Sequence, residues 1–176
     1  MQNYTVSDLE TQVSAEEYAA SCVDVEKFLG YCRECPNFGK KWACPPLTED
    51  PMEIWHGYRT LKLYARVLTP GAGMTMEELM EVFRDEKIRL SRQVLELEEQ
   101  FPGSRSMAAG TCLACETCTR IEGKTCRYPE QVRFSLEALG ADVGLTMEKY
   151  LHKPLQWSSQ GQLPAYLTLV AGLLLK

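Results

Sequence analysis

Residues 109–130 read AGTCLACETCTRIEGKTCRYPE, and half of the chain's eight cysteines fall inside them: Cys112, Cys115, Cys118 and Cys126, in the spacing C-x2-C-x2-C-x7-C. Three thiols at successive two-residue gaps share one short loop. That density suits a cluster of several irons better than one tetrahedral zinc, whose ligands usually come as separated pairs. Gly123 sits in the middle of TRIEGKT, where a turn can return Cys126 to a fourth iron. All four thiolates can therefore serve one 4Fe-4S cluster. Zinc and a thiol–disulfide pair are the alternatives. In the bacterial ferredoxin run the fourth cysteine follows after three residues, precedes proline and serves the other cluster. Here the gap is seven and Arg127 follows, so the loop is ferredoxin-like without being a ferredoxin.

Upstream, residues 31–47, YCRECPNFGKKWACPPL, hold a second set: Cys32, Cys35 and Cys44. Three prolines and a glycine forbid regular structure throughout this stretch, so a loop held by something other than an apolar core is expected. Three thiolates leave one iron, or one zinc position, without a sulfur ligand. Such an iron can act as a Lewis acid toward a small-molecule substrate. Cys22 is the obvious fourth candidate. On one continuous helix it would lie about 15 Å from Cys32, too far for a shared cluster, unless the helix breaks at Asp24. The reading favoured here is a buried apolar Cys22, since free cysteine is often fully buried. Arg33, Lys40 and Lys41 against Glu34 make this stretch locally basic. Cations there would stabilise an anionic cluster.

The chain's 176 residues suffice for one domain, 1–176, with the cysteine loops at 31–47 and 110–129. At 45% hydrophobic and 24% charged the composition is that of a globular protein, and a net charge of −5 speaks against nucleic acid as a partner. The start, MQNYTVSDLE, lacks the positive flank and apolar run of a secretion signal, and the apolar end from Pro164 to Leu175 is too short for a membrane helix. A cytoplasmic setting follows as the expectation. Thiols stay reduced there, and clustered cysteines point to metal or redox chemistry.

Local patterns sketch the scaffold. Ser14 with Glu17 forms a capping-box pattern for a helix that can break near Asp24 and stop at Gly30. Thr48 is a candidate cap for a short helix through Pro51, Ile54, Trp55 and Tyr58. Leu61, Leu63, Ala65 and Val67 alternate with Lys62, Tyr64 and Arg66 as in a strand. Thr75 and Glu78 open a long helix that Pro102-Gly103 ends, with an apolar stripe of Met76, Leu79, Met80, Phe83, Leu90, Val94, Leu97 and Phe101. Its eight acids and four bases give a balance of −4, read as a solvated face. A short strand at 104–109, helices at 129–139 and 145–151, and a central strand in AYLTLVAGLLL complete the pattern. The sum is an α+β fold: a small, mostly antiparallel sheet with a long helix packed on it and the cysteine loops attached.

His56 and His152 lack partnered motifs, and Trp42, Trp55 and Trp157 read as packing. There is no phosphate-binding glycine loop, no G-x-S-x-G and no H-E-x-x-H.

The stretches YCRECPNFGKKWACPP and CLACETCTRIEGKTCRYPEQVRFSLEALGADV together resemble a family of small metal-binding proteins of bacteria and archaea whose function is undefined. The resemblance spans both cysteine sets and the segment to Val143. It implies metal or iron–sulfur binding through Cys32, Cys35, Cys44, Cys112, Cys115, Cys118 and Cys126. It also marks Arg127, Pro129, Ser135 and Glu137 as parts of the motif that support the ligands, and leaves Cys22 outside the pattern.

The expectation is an iron–sulfur redox protein with one or two 4Fe-4S clusters, transferring electrons with a redox partner protein. A reductive step at the three-cysteine site would make it an oxidoreductase. The competing readings are a zinc-stabilised binding module and an iron–sulfur or metal carrier.

Overall fold

The computed structural model of the chain describes residues 3–157 and 162–176. Its strands are β1 (Tyr4–Ser14), β2 (Thr60–Pro70), β3 (Arg105–Met107) and β4 (Leu167–Leu175). They form one antiparallel sheet in the order β1-β2-β4-β3. The helices are α1 (Ala15–Cys22), α2 (Val25–Arg33), α3 (Pro51–His56), α4 (Met76–Gln100) and α5 (Val143–Leu151). The fold is α+β, as the patterning predicts.

The alternation in β2 divides the core between the two sheet faces. Leu61, Leu63 and Ala65 pack with Tyr18 and Ala19 of α1, Ile54 and Trp55 of α3, and Met147 and Leu151 of α5. On the other face Leu68, Leu169 and Ala171 meet Leu90 and Val94 of α4, with Tyr64 packed alongside. The sheet is thus covered by α4 on one side and by the short helices on the other. Polar tips in the first layer find partners: Trp55 Nε1 donates to the Leu139 carbonyl at 3.0 Å, and the Tyr18 and Thr146 hydroxyls pair at 2.7 Å.

Helix starts follow side-chain caps. Ser14 Oγ accepts from the Glu17 amide, and Asp24 accepts from the Lys27 amide, which places the break between α1 and α2 where the sequence allows one. Thr75 and Glu78 form the full reciprocal box. For α3 the cap is Asp50, bonded to the Met52 and Glu53 amides, and Thr48 plays no such part.

Three expectations are corrected. β1 has no apolar alternation strong enough to announce it: it is an edge strand, largely exposed, and edge strands tolerate polar residues on both faces. Residues 129–139 do not form an α-helix. The Phe134 carbonyl accepts from the Ala108 amide, extending the line of β3, and only a 3-10 turn at Glu137–Leu139 remains. Phe134 and Leu136 are both buried, a spacing that one face of a helix cannot provide. The stripe of α4 also differs, since Met80 and Phe101 are exposed.

The charged face of α4 is solvated only in part. Glu86 is buried and pairs with Arg66 of β2 at 3.0 Å and with Arg89, while Arg66 also grips Asp8 of β1 at 2.8 Å. Glu98 receives the Ser106 amide and hydroxyl, both at 2.5 Å, and the Arg133 guanidinium at 2.6 Å. It therefore ties α4 both to β3 and to the segment that follows the second cysteine loop. Burial alone would raise the Glu98 carboxyl, but the bonds from Arg133 and Ser106 outweigh it and hold it below the ordinary glutamate value. A carboxyl depressed on folding adds stability above its unfolded value and loses that stability as pH falls through the folded one. Glu98→Gln should cost about 2 kcal/mol at neutral pH. In urea titrations the gap from wild type should close as acid protonates the wild-type carboxyl.

Candidate metal centre

The first loop leaves the end of α2 and folds on itself. The Cys35 amide donates to the Cys32 carbonyl at 3.0 Å, the Phe38 amide to the Cys35 carbonyl at 3.0 Å, and the Gly39 amide to the Pro45 carbonyl at 2.8 Å. The last bond brings the Cys44 end back beside the Cys32–Cys35 end. Burial pushes the Cys32 thiol above its ordinary value, and the charges of Cys35, Cys44 and Glu137 push the same way.

The second loop is braced by polar contacts in place of apolar packing. Thr119 Oγ1 donates to the Thr125 carbonyl at 2.8 Å, the Lys124 amide to the Thr119 carbonyl at 3.1 Å, and Arg127 to the Thr117 carbonyl at 2.7 Å. This is the turn that TRIEGKT predicts, and it returns Cys126 toward the first three thiols. Cys112, Cys115 and Cys118 line one hollow with Lys41, Trp42, Ala43 and Val132. Burial raises the Cys112 thiol; the Ala114 amide and the Lys41 ammonium work against this, while Cys115 and Cys126 add to it. Cys112, Cys115 and Cys118 thus face the same hollow, and all eight cysteines are free thiols.

The two loops face each other. Arg120 of the second reaches the Lys41 and Cys44 carbonyls at 2.9 and 2.7 Å and the Pro46 carbonyl at 2.7 Å. Its guanidinium also lies over the Trp42 ring, 5.1 Å from the centroid. Trp42 Nε1 donates to the Lys124 carbonyl, and Lys41 Nζ to the Cys112 carbonyl, both at 3.1 Å. Cys44 Sγ stands 3.3 Å from Thr111 Oγ1. Nothing in the cysteine spacing marks Arg120 for this role, because it binds backbone carbonyls.

Lys87 of α4 lies behind this junction. Burial lowers its ammonium, Lys41 adds to that, and Glu137, Cys44 and Cys112 oppose it, so its charge is felt in both loops. Gly110 permits the approach: its φ is +71°, and a Cβ there would come within 3.2 Å of Lys87 Nζ. Lys87 was missed by counting it among the solvated bases. Its signal is its spacing, four residues after Phe83 and three before Leu90, which puts it on the inward stripe.

The remaining candidates lie elsewhere. Cys22 is buried, and the groups acting on it are Ser21, Lys149, Thr146 and Asp142, with no other cysteine among them. His56 and His152 are exposed at the ends of α3 and α5. Between α4 and the second loop runs a cleft of about 730 Å³, with Lys87, Ser91, Arg92, Thr111, Cys112 and Gln131 in its wall.

The donors suit a thiophilic metal. They are free thiols on two loops without apolar cores, and the buried Glu137 Oε2 has no hydrogen-bond partner among the described residues. Among the described residues no three Cys, His, Asp or Glu side chains converge closely enough to hold one ion. The hollow under Cys112, Cys115 and Cys118 has about 20 Å³ of free space.

Two substitutions separate scaffold from ligand. Arg120→Met should unlatch the loops, lower stability by about 2 kcal/mol and speed amide hydrogen exchange across residues 39–47. Cys22→Ala should cost about 1 kcal/mol from lost packing and leave bound metal, measured by elemental analysis, unchanged.

No curated protein and no solved structure matches the chain. Among the described residues no helix is long and apolar enough to cross a membrane. A family model described as "Predicted metal-binding protein (DUF2284)" matches residues 18–175, which takes in both loops, α4 and the sheet strands β2, β3 and β4. The chain belongs to this family of predicted metal-binding proteins of unknown function.

Proposed function

We propose that the protein is an iron–sulfur redox protein. The second loop would hold a 4Fe-4S cluster through Cys112, Cys115, Cys118 and Cys126, and the first would hold another through Cys32, Cys35 and Cys44. The observation that supports this reading is the clasp of the two loops, which brings the loop of the four-cysteine set against the loop of the three-cysteine set. Four thiolates close a site for electron transfer. Three leave an iron able to take another donor, the chemistry of a reductive step on a small molecule.

In this reading electrons enter at the second site and leave at the first. The cleft beside Cys112 offers a redox partner or small molecule a place of suitable size next to the entry site. Lys87 and Lys41 would offset the negative charge that either site gains on reduction. Metal must displace the protons of the thiols that burial keeps protonated, so loading releases protons.

One observation favours a different reading, a zinc-stabilised binding module: the hollow in the second loop is nearer the size of one ion than of a cubane. Anaerobic purification decides between the two. The expected protein is brown and contains iron and acid-labile sulfide in equal amounts. Cys112→Ser and Cys32→Ser should each remove the iron of one site. Colourless protein with stoichiometric zinc and no sulfide would overturn the redox reading.

A further inference from the structure

We propose that the cleft between α4 and the second loop binds a small organic monocarboxylate, its carboxylate held by the Lys87 ammonium and the Ser91 hydroxyl beside Cys112. This goes beyond the redox reading and needs no metal, because the groups involved are side chains already in place.

Backbone packing fixes the cleft. The chain from β3 to the second loop runs antiparallel to α4. The Ser106 amide is bonded to Glu98, the Ala109 amide donates to Ser91 Oγ at 3.2 Å, and Gly110 lies against the tip of the Lys87 side chain. The cleft holds about 730 Å³, within the range of small-molecule sites. Its α4 wall extends from Lys87 to Glu99, about 18 Å of helix. Thr111 and Cys112 stand at the Lys87 end, and the Arg133–Glu98 ion pair closes the other.

The Lys87 end offers unused donors. Lys87 is half-buried, and its ammonium makes no hydrogen bond and no ion pair with any described residue. The charges of Glu137, Cys44 and Cys112 act on it only from beyond bonding distance. A desolvated cation without a bonded partner is costly, and a bound anion would relieve that cost. Ser91 Oγ accepts from the Ala109 amide, while its own proton has no acceptor among the described residues. Lys87 and Ser91 are one turn apart on the same helix face. Two adjacent donors, one of them charged, match the two oxygens of a carboxylate.

The rest of the lining selects among anions. Ile88, Leu95 and Leu113 give the middle of the cleft apolar surface for the body of the ligand. At the far end Glu96 and Glu99 line the wall without bonded partners, while Arg133 is spent on Glu98. Those acids repel a second anionic group. Arg92, exposed midway, favours an anion without choosing its position. Phosphates and dicarboxylates bring more negative charge than this lining accepts, whereas one carboxylate on an apolar body fits both ends.

The test is calorimetry on the full chain, purified without oxygen, with hexanoate as the probe. Hexanoate should bind saturably with a Kd of about 1 mM or tighter. Adipate, which adds a carboxylate at the far end, and hexylamine, which has none, should each bind at least about tenfold more weakly. Saturating hexanoate should slow amide hydrogen exchange across residues 108–114. Lys87→Met, which keeps the stem against Gly110 and removes the charge, should weaken hexanoate by about tenfold or more. No saturable heat, or adipate or hexylamine binding as tightly as hexanoate, would overturn the proposal in wild type alone, even if the variant does not fold. So would unchanged hexanoate binding in Lys87→Met. None of these readouts depends on iron or sulfide, so the redox reading is judged separately by its own analysis.

Discussion

The Arg120 guanidinium leads the polar contacts that join two loops with no apolar core of their own. Neither loop contributes much to the core, and neither runs in regular structure for more than a turn. One planar group with several donors meets three carbonyls of the partner loop and lies against the Trp42 ring. A lysine could not satisfy that geometry, because its donors radiate from a point and it has no flat face. With the Trp42–Lys124 and Lys41–Cys112 bonds, Arg120 holds the two thiol-bearing loops face to face, and the proposed reading of the cysteines depends on that approach.

The scaffold serves the same end. Glu98 anchors the segment after the second loop to α4 and β3, so the loop has a fixed exit. The Asp24 cap and the Gly140 contact fix the angle between α1 and α2, which aims the first loop at the second. Buried ionic groups in a small protein are expensive unless fully paired. Here Arg66 with Asp8 and Glu86, and Arg133 with Glu98, are well paired, and Glu137 stands out by contrast.

Much of this was legible beforehand, for identifiable reasons. Cysteine spacing reports local loop geometry, so the turn through Gly123 and the break at Asp24 could be read from the chain. The strand at residues 60–70 and the long helix followed from period and capping. What stayed hidden were contacts with no side-chain signature on one partner. Arg120 binds carbonyls, which every residue has. Residues 129–139 look helical in composition, yet their backbone is engaged by Ala108, an arrangement that only tertiary structure can impose. β1 is polar because it lies at an edge, and its pairing is dictated by β2 rather than by its own pattern. Lys87 was legible in its spacing and was overlooked because charge was weighed before position. The spacing divides seven cysteines into two sets, whereas the contacts between their loops through Arg120, Trp42 and Lys41 leave no mark in it.

The position of Lys87 has a further consequence. One ammonium acts on thiols of both loops, so neither loop has a private electrostatic environment. Filling, emptying or recharging one of them changes how strongly that cation is drawn away from the other. By thermodynamic reciprocity the second loop must then exert the same influence on the first. In the proposed reading the occupancies of the two loops would therefore be correlated, as in a single two-part receptor rather than a pair of independent sites.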